Sequence, residues 1–324
     1  MDNITHTLVG LMLARAGLND GQKGAAVMMM LAANAPDIDF LPTLNDSMTF
    51  LEIHRGYTHA LPLAPLIALA PLVLVKLITR TRPTLMAYLS CFVAVVSHSL
   101  LDWTNVYGVR LLLPFSPEFY RLDSTDIVDL VIFAILLLAL AAPAMVSLVS
   151  AEIGSRKGSG PKRAWAWFAL LALLAYDTGR WVAHDRAISL IDAHNYMDNR
   201  AWRIYAFPVR FSVVGWRGVV YGDGFVYEVP VDLSKDFNAG AGEFSYPAGK
   251  SPLMDAARST RTFQVFEKFN KVPFWRMQPL VDVTRVELID LRFGSINYPR
   301  FEAIANVEND GKIDEVRFTF GDPD

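Results

Sequence analysis

Apolar stretches of nearly membrane-spanning length constrain this chain more than any other feature. Ile127 to Val149 is the longest, and beyond Asp129 it carries no charged side chain. A bilayer core offers no water to backbone amides, so a run of about 20 such residues is stable there only as a helix. Leu61 to Ile78 and Leu85 to Leu101 have the same texture. Trp165 to Val182 makes a further segment, interrupted by Asp177 and Arg180 and bounded by tryptophans. Ile4 to Leu18 and Gly24 to Ala35 are shorter, and the break at Asn19-Asp20-Gly21 makes them an antiparallel helical hairpin, buried against other helices or only partly crossing. The expected fold is a helical membrane region of about six hydrophobic segments, the first two short. Composition agrees: 52% of residues are hydrophobic, mean hydropathy is +0.27, and 19% are charged, against about 25% in soluble domains.

The texture changes near residue 200. Arg203 to Pro208, Phe211 to Val220, Phe225 to Val231, Thr262 to Phe269, Val281 to Phe293, Phe301 to Val307 and Ile313 to Phe320 read as strands, with Asn309-Asp310-Gly311 as a hairpin turn. The expected organisation is a membrane domain over 1–183, an amphipathic connector over 184–199 and a small β-rich soluble domain over 200–324. His184, Asp185 and His194 in the connector read as solvated surface.

Charge excludes some partners and suggests an orientation. A net charge of −3 and a pI near 6.1 give no nucleic-acid-binding surface. The single cysteine, Cys91, excludes an internal disulfide and a thiolate zinc cluster. Met1-Asp2-Asn3 is not the basic start of a cleavable signal, so the first stretch is expected to be retained. Arg15, Lys23, Lys76, Arg80, Arg82, Arg156, Lys157, Lys162 and Arg163 fall on one set of loops, while the opposite set up to the sixth segment holds only Arg55, Arg110 and Arg121. By the positive-inside rule the first set is cytoplasmic. The chain is expected in a bacterial cytoplasmic membrane, multi-pass, with its C-terminal domain extracytoplasmic.

The same orientation gathers the chemistry onto the extracytoplasmic side. Four of the six histidines, His6, His54, His59 and His98, lie in the first third of the chain near the ends of apolar runs, accompanied by Asp37, Asp39 and Asp102. Ionisable groups at such places are functional candidates by default. Imidazole with carboxylate and no thiolate suits zinc first, with manganese or iron as alternatives, and seven donors are enough for one or two ions. Arg55, beside His54, suits a planar anion such as phosphate or carboxylate, and a carboxylate left over from coordination, Asp39 by this reading, suits a general base. Asp126 or Asp129, at the head of the fifth segment, is a further candidate ligand. Met28-Met29-Met30 reads as packing.

Taken together, Ile4-Thr5-His6, Pro36-Asp37-Ile38-Asp39, His54-Arg55-Gly56-Tyr57-Thr58-His59, Ser97-His98 with Asp102, and Gly108-Val109-Arg110-Leu111-Leu112-Leu113-Pro114 resemble the family of inner-membrane-associated metal-dependent hydrolases that also carries the label LexA-binding. The match covers about the first 120 residues, in the family's order. It implies a multi-pass bacterial membrane protein with a His/Asp metal site and hydrolase activity on an undefined substrate. Family members often have Ser after the second motif histidine; Ala60 here argues against a serine nucleophile. The β-rich region lies outside the match, and no role or protein partner transfers to it.

The expected function is a divalent-metal hydrolase of an ester or phosphoester, lipid-linked by virtue of its place at the bilayer. The alternative is a metal-stabilised membrane binding or assembly protein without catalysis. A transporter would place ionisable groups near mid-membrane rather than at segment ends.

Overall fold

The computed structural model describes residues 1–43, 46–152, 162–197 and 201–321. Its contacts divide into two compact units, Met1–Asp39 with Arg55–Val182, and Phe40–His54 with Ala183–Asp324.

The first unit is helical. Helix α1 (Asn3–Arg15) is started by Asp2, whose carboxylate accepts from the backbone N–H groups of Ile4 and Thr5. Helix α2 (Ala25–Asn34) returns against it after Gly24, which holds φ +85°. The two approach closely at Gly10: a β-carbon there would lie 2.6 Å from the Met29 carbonyl oxygen. Small residues allow such contacts where lipid offers no hydrophobic drive between helices. Pro36 has no N–H with which to continue α2, and a 3-10 stretch, Ala35–Thr43, follows.

Among the described residues three helical stretches are long and apolar enough to cross a membrane. Leu61–Thr79 has mean hydropathy 2.3 and is a 3-10 turn followed by α4 (Ala64–Ile67) and α5 (Leu69–Thr79); α3 (Ser47–Ile53), which precedes it in the chain, belongs to the second unit. The others are α6 (Leu85–Thr104, mean hydropathy 1.6) and α7 (Leu130–Glu152), whose Leu130–Leu148 reaches 2.7. This corrects the expectation of about six segments. The first two, α1 and α2, are 13 and 10 residues long, too short at 1.5 Å per residue for a core of about 30 Å. The sixth lies in α8 (Lys162–Asp192), where Asp177 and Arg180 lower the apolar average. Leu8, Met12, Met28, Met29, Leu72, Ala94, Val95, Ile132 and Leu136 pack the buried core of this unit. Lys76 forms a buried ion pair with Asp20 of the α1–α2 turn.

Among the described residues the second unit carries eight strands in two antiparallel four-stranded meanders. One has the order β1 (Arg203–Pro208), β2 (Gly215–Gly222), β3 (Phe225–Asp232), β4 (Glu243–Ser245); the other β5 (Pro273–Pro279), β6 (Val283–Asp290), β7 (Phe301–Glu308), β8 (Ile313–Phe320). Between them lie α9 (Pro252–Arg258) and α10 (Arg261–Phe269). The strand expected over Thr262 to Phe269 is therefore helical: Phe263, Phe266 and Phe269 recur at a three-residue spacing and are buried together. Helix α3 belongs here too, with Arg261 bridging Asp46 and Glu52. Residues 184–192, expected as the start of a connector, are the last turns of α8, and Ala187 and Ile191 enter the core around Trp216 and Tyr227. The remainder of the connector is described to Met197. Arg156 and Lys157, which enter the charge bias, lie outside the described residues.

Candidate metal centre

His98 and Asp102 share a face near the C-terminal end of α6, because residues four apart on a helix lie one turn above each other. His98 Nε2 stands 3.4 Å from Asp102 Oδ2. His59 arrives from the 3-10 turn Tyr57–His59, and Asp37 from the stretch that follows α2. Their reactive atoms converge. His59 Nε2 is 3.1 Å from His98 Nε2, 3.3 Å from Asp37 Oδ1 and 3.5 Å from Asp102 Oδ2, and His98 Nε2 is 3.6 Å from Asp37 Oδ1. All four residues offer an atom within 4.8 Å of the others.

These separations can be tested against a metal. Four ligands at about 2.0–2.2 Å around a tetrahedral ion are separated by about 3.3–3.6 Å, the edge of the tetrahedron. Five of the six separations, 3.1 to 3.6 Å, lie at or close to it, and the sixth, between Asp37 and Asp102, is within 4.8 Å. The chemistry of the donors fits as well. His98 Nδ1 lies 2.7 Å from the Ala33 carbonyl oxygen, which only accepts, so Nδ1 carries the proton and Nε2 a bare lone pair. Thr58 Oγ1 donates to Asp39 Oδ2 at 2.7 Å and meets His59 Nδ1 at 3.0 Å. Its one proton is committed to Asp39, so it accepts from His59 Nδ1, and His59 Nε2 is bare too. Two lone pairs then face each other at 3.1 Å beside two carboxylate oxygens, an arrangement that a cation stabilises.

The surroundings are almost closed to water. The His59 and His98 side chains are 0% exposed, Asp102 is 1% and Asp37 is 12% exposed.

The other expected site residues take different places. Asp39 stands on the outer side of His59: its Oδ2 accepts from Thr58 and, at 3.1 Å, from the backbone N–H of Arg55. His6 is fully buried, its ring stacked on His98 with centroids 3.7 Å apart. Its Nε2 lies 3.4 Å from Asp102 Oδ1, and neither ring nitrogen makes a hydrogen bond among the described residues. Burial, then the neighbouring His98, pushes it down to about 3, so the ring is neutral. His54 falls in the second unit, where it ends α3 and stacks on Phe50 at 4.4 Å. Arg55 is buried rather than open to an anion. Nη2 meets Asp102 Oδ1 at 3.1 Å, Nη1 donates to Asn105 Oδ1 at 2.9 Å and to the Gly108 carbonyl at 3.3 Å, and the guanidinium lies 4.6 Å from the Tyr107 ring centre. The Met1 amino group also contacts Asp102 Oδ1. Asp129 receives the Tyr176 hydroxyl and starts α7, while Asp126 accepts from the Ile127 N–H. Thr58, Asn105 and the Ala33 carbonyl had no assigned role in the sequence. Thr58 was findable from its place beside His59; a carbonyl has no signature in sequence.

The profile of the YdjM inner membrane protein family matches residues 1–187. The chain belongs to this family. The matched span holds Asp37, His59, His98 and Asp102 and ends just past the first unit. This YdjM family member is also similar to the uncharacterized protein YfhP of Bacillus subtilis (strain 168), 26% identical over 329 residues, covering 96% of this chain and 92% of the relative. That similarity therefore continues into the β-rich unit. No solved structure matches it significantly.

Proposed function

We propose that this YdjM family member is a membrane-bound, divalent-metal-dependent hydrolase with one ion held by His59 Nε2, His98 Nε2, Asp37 Oδ1 and Asp102 Oδ2. The observation that carries the reading is the convergence of these atoms, with five of their six separations close to the edge of one coordination tetrahedron. Zinc suits the donor set best, with manganese or iron next. When bound, such an ion supplies Lewis acidity and a water acidified toward neutral pH. Asp37 is the ligand able to yield: it alone of the four is more than marginally exposed, and it sits on a 3-10 turn instead of an α-helix. Catalytic zinc sites keep one position for water or substrate, and Asp37, were it to leave that position, would stand beside it as a carboxylate able to act as general base. Asp39 and Thr58 hold His59 in its metal-binding tautomer.

An ester or phosphoester is the substrate class, and the place of the centre at the end of α6 supports a lipid-linked one. Charge bias supports a multi-pass protein with the centre and the C-terminal unit at the extracytoplasmic face. This requires 162–182 of α8 to cross as well. Its outward Phe168, Leu171 and Leu174 are exposed, and Arg180 is turned inward, its Nε donating to the Ser124 carbonyl.

A second reading is a metal-stabilised assembly protein. Four protein ligands in a closed pocket favour it, since structural zinc sites are closed. Elemental analysis of detergent-purified wild type, His59→Ala and His98→Ala tests the centre, with near-stoichiometric metal expected only in the wild type. A panel of chromogenic esters and phosphoesters separates the two readings. Turnover lost in both variants supports hydrolysis; metal that raises the unfolding temperature without turnover leaves assembly. Wild type without metal after reconstitution sinks both.

A further inference from the structure

We propose that Arg55 is a positioning residue that keeps Asp102 from bridging to a second ion and aims its carboxylate at the centre. The inference rests on the metal reading above and concerns the half of Asp102 that the tetrahedron leaves over. A carboxylate can bridge two ions, one per oxygen, and two-metal hydrolytic centres hold their ions about 3.5–4 Å apart. Asp102 Oδ2 faces His59 and His98; Oδ1 faces away, toward His6. An ion bridged through Asp102 would therefore need Oδ1. That oxygen already faces the Arg55 guanidinium at 3.1 Å, a positive group where a bridging ion would have to stand.

The guanidinium is itself held in place from several directions. Asn105 Oδ1 and the Gly108 carbonyl accept from Nη1, and the Tyr107 ring lies against it. Asn105 Oδ1 also accepts from the Tyr107 N–H at 2.9 Å, so the turn after α6 and the arginine share one acceptor. The backbone is held as firmly: Arg55 N–H donates to Asp39 Oδ2, its carbonyl accepts from Arg110 N–H at 3.0 Å, and the residue takes φ +56°, a left-handed conformation costly for a side chain of this size. Strain of this kind persists where surroundings over-determine it, and here it delivers the planar fork to Oδ1. Lysine would keep the charge but lose the fork.

The test counts ions and reads their geometry without needing a substrate. Detergent-purified full-length wild type, Arg55→Lys and Arg55→Met are loaded with cobalt(II), which reports coordination through its visible d–d absorption. Stoichiometry and affinity are then measured by equilibrium dialysis and elemental analysis. We expect one cobalt ion in the wild type with a tetrahedral spectrum. Affinity should be 10- to 100-fold weaker in Arg55→Met, as for loss of other groups that orient a ligand, with a weaker, higher-coordinate spectrum as Asp102 is freed to turn. Arg55→Lys should fall between them. Two magnetically coupled ions in the wild type, the mark of a shared carboxylate bridge, overturn this inference while leaving the metal reading intact. Wild-type affinity and spectrum in Arg55→Met overturn it equally. No cobalt in the wild type overturns the metal reading, and this inference with it.

Discussion

Thr58→Val removes one hydroxyl from the outer side of the centre, leaves the four coordinating atoms untouched, and has a loss that can be worked out in advance. The hydroxyl makes two contacts, 2.7 Å to Asp39 Oδ2 and 3.0 Å to His59 Nδ1. Valine is close in volume, so the change is one of hydrogen bonding and not of a cavity. Without its acceptor, His59 is free to move its proton to Nε2, the atom that would bind the ion. Groups that hold a ligating imidazole in this way typically contribute 10- to 100-fold in affinity. The lower end applies here, because Asp39 Oδ2 already lies 3.4 Å from His59 Nδ1 and can close part of the gap. The expected loss is about tenfold in zinc affinity, or about 1.4 kcal/mol, by competition with a chromophoric chelator in detergent. Thr7→Val is the control, since that hydroxyl only bonds Asn3 O and Asn34 Nδ2. Unchanged affinity in Thr58→Val would refute the tautomer assignment and with it the chain from Asp39 through Thr58 to the ion.

Gly10→Ala should act on the centre from a distance. Its β-carbon would meet Met29 O at 2.6 Å and Ala33 Cβ at 2.9 Å, and Ala33 carries the carbonyl that holds His98. Overpacking of this size costs about 1–3 kcal/mol, so thermal unfolding should come earlier and zinc affinity should fall; if affinity holds, α1 does not set the position of α2. In the β-rich unit, Arg292 meets the Asp290 carboxylate with Nε at 3.0 Å and Nη2 at 2.6 Å, both side chains fully buried between the rings of Phe269 and Phe293. Arg292→Met strands the Asp290 charge, and denaturant unfolding should show a loss of about 3–5 kcal/mol. Glu302 is the reverse case: burial, then Glu287, raises its carboxyl above the ordinary value. A folded-state value above the unfolded one means that folding takes up a proton, so stability is highest below the ordinary glutamate range and falls as pH rises through the folded-state value. Glu302→Gln should therefore raise the melting temperature at pH 7 and flatten that fall, and no gain at pH 7 would count against the buried charge.

Much of the helical region was legible because hydrophobic length is itself a physical requirement of the bilayer. Leu85 to Leu101 became α6 with its polar end residues His98 and Asp102 on one face, as four-residue spacing demands. Spacing could not say which of seven donors would meet. Asp37 and Asp39 are two residues apart, yet one faces the tetrahedron and the other the back of His59, a division made by the 3-10 path after Pro36. Arg55 looked open to an anion because its partners Asn105 and Gly108 lie some fifty residues away and only the fold brings them near. Phe263 to Phe269 misled because short apolar runs satisfy strand and helix patterns alike, and tertiary burial decided for the helix. In the same way, nothing local in Ser47–Ile53 assigns it to the β-rich unit; its contacts with α10 do.

The order of the four donors along the chain has a consequence in time. Asp37, His59, His98 and Asp102 all precede the turn at Asn105, so less than the first third of the polypeptide needs to emerge from the ribosome before every donor exists. Domains generally assemble from the N-terminus during synthesis. On the proposed metal reading, the whole donor set therefore exists while α7, α8 and the strands are still unmade, and the ion would have its ligands at hand during insertion.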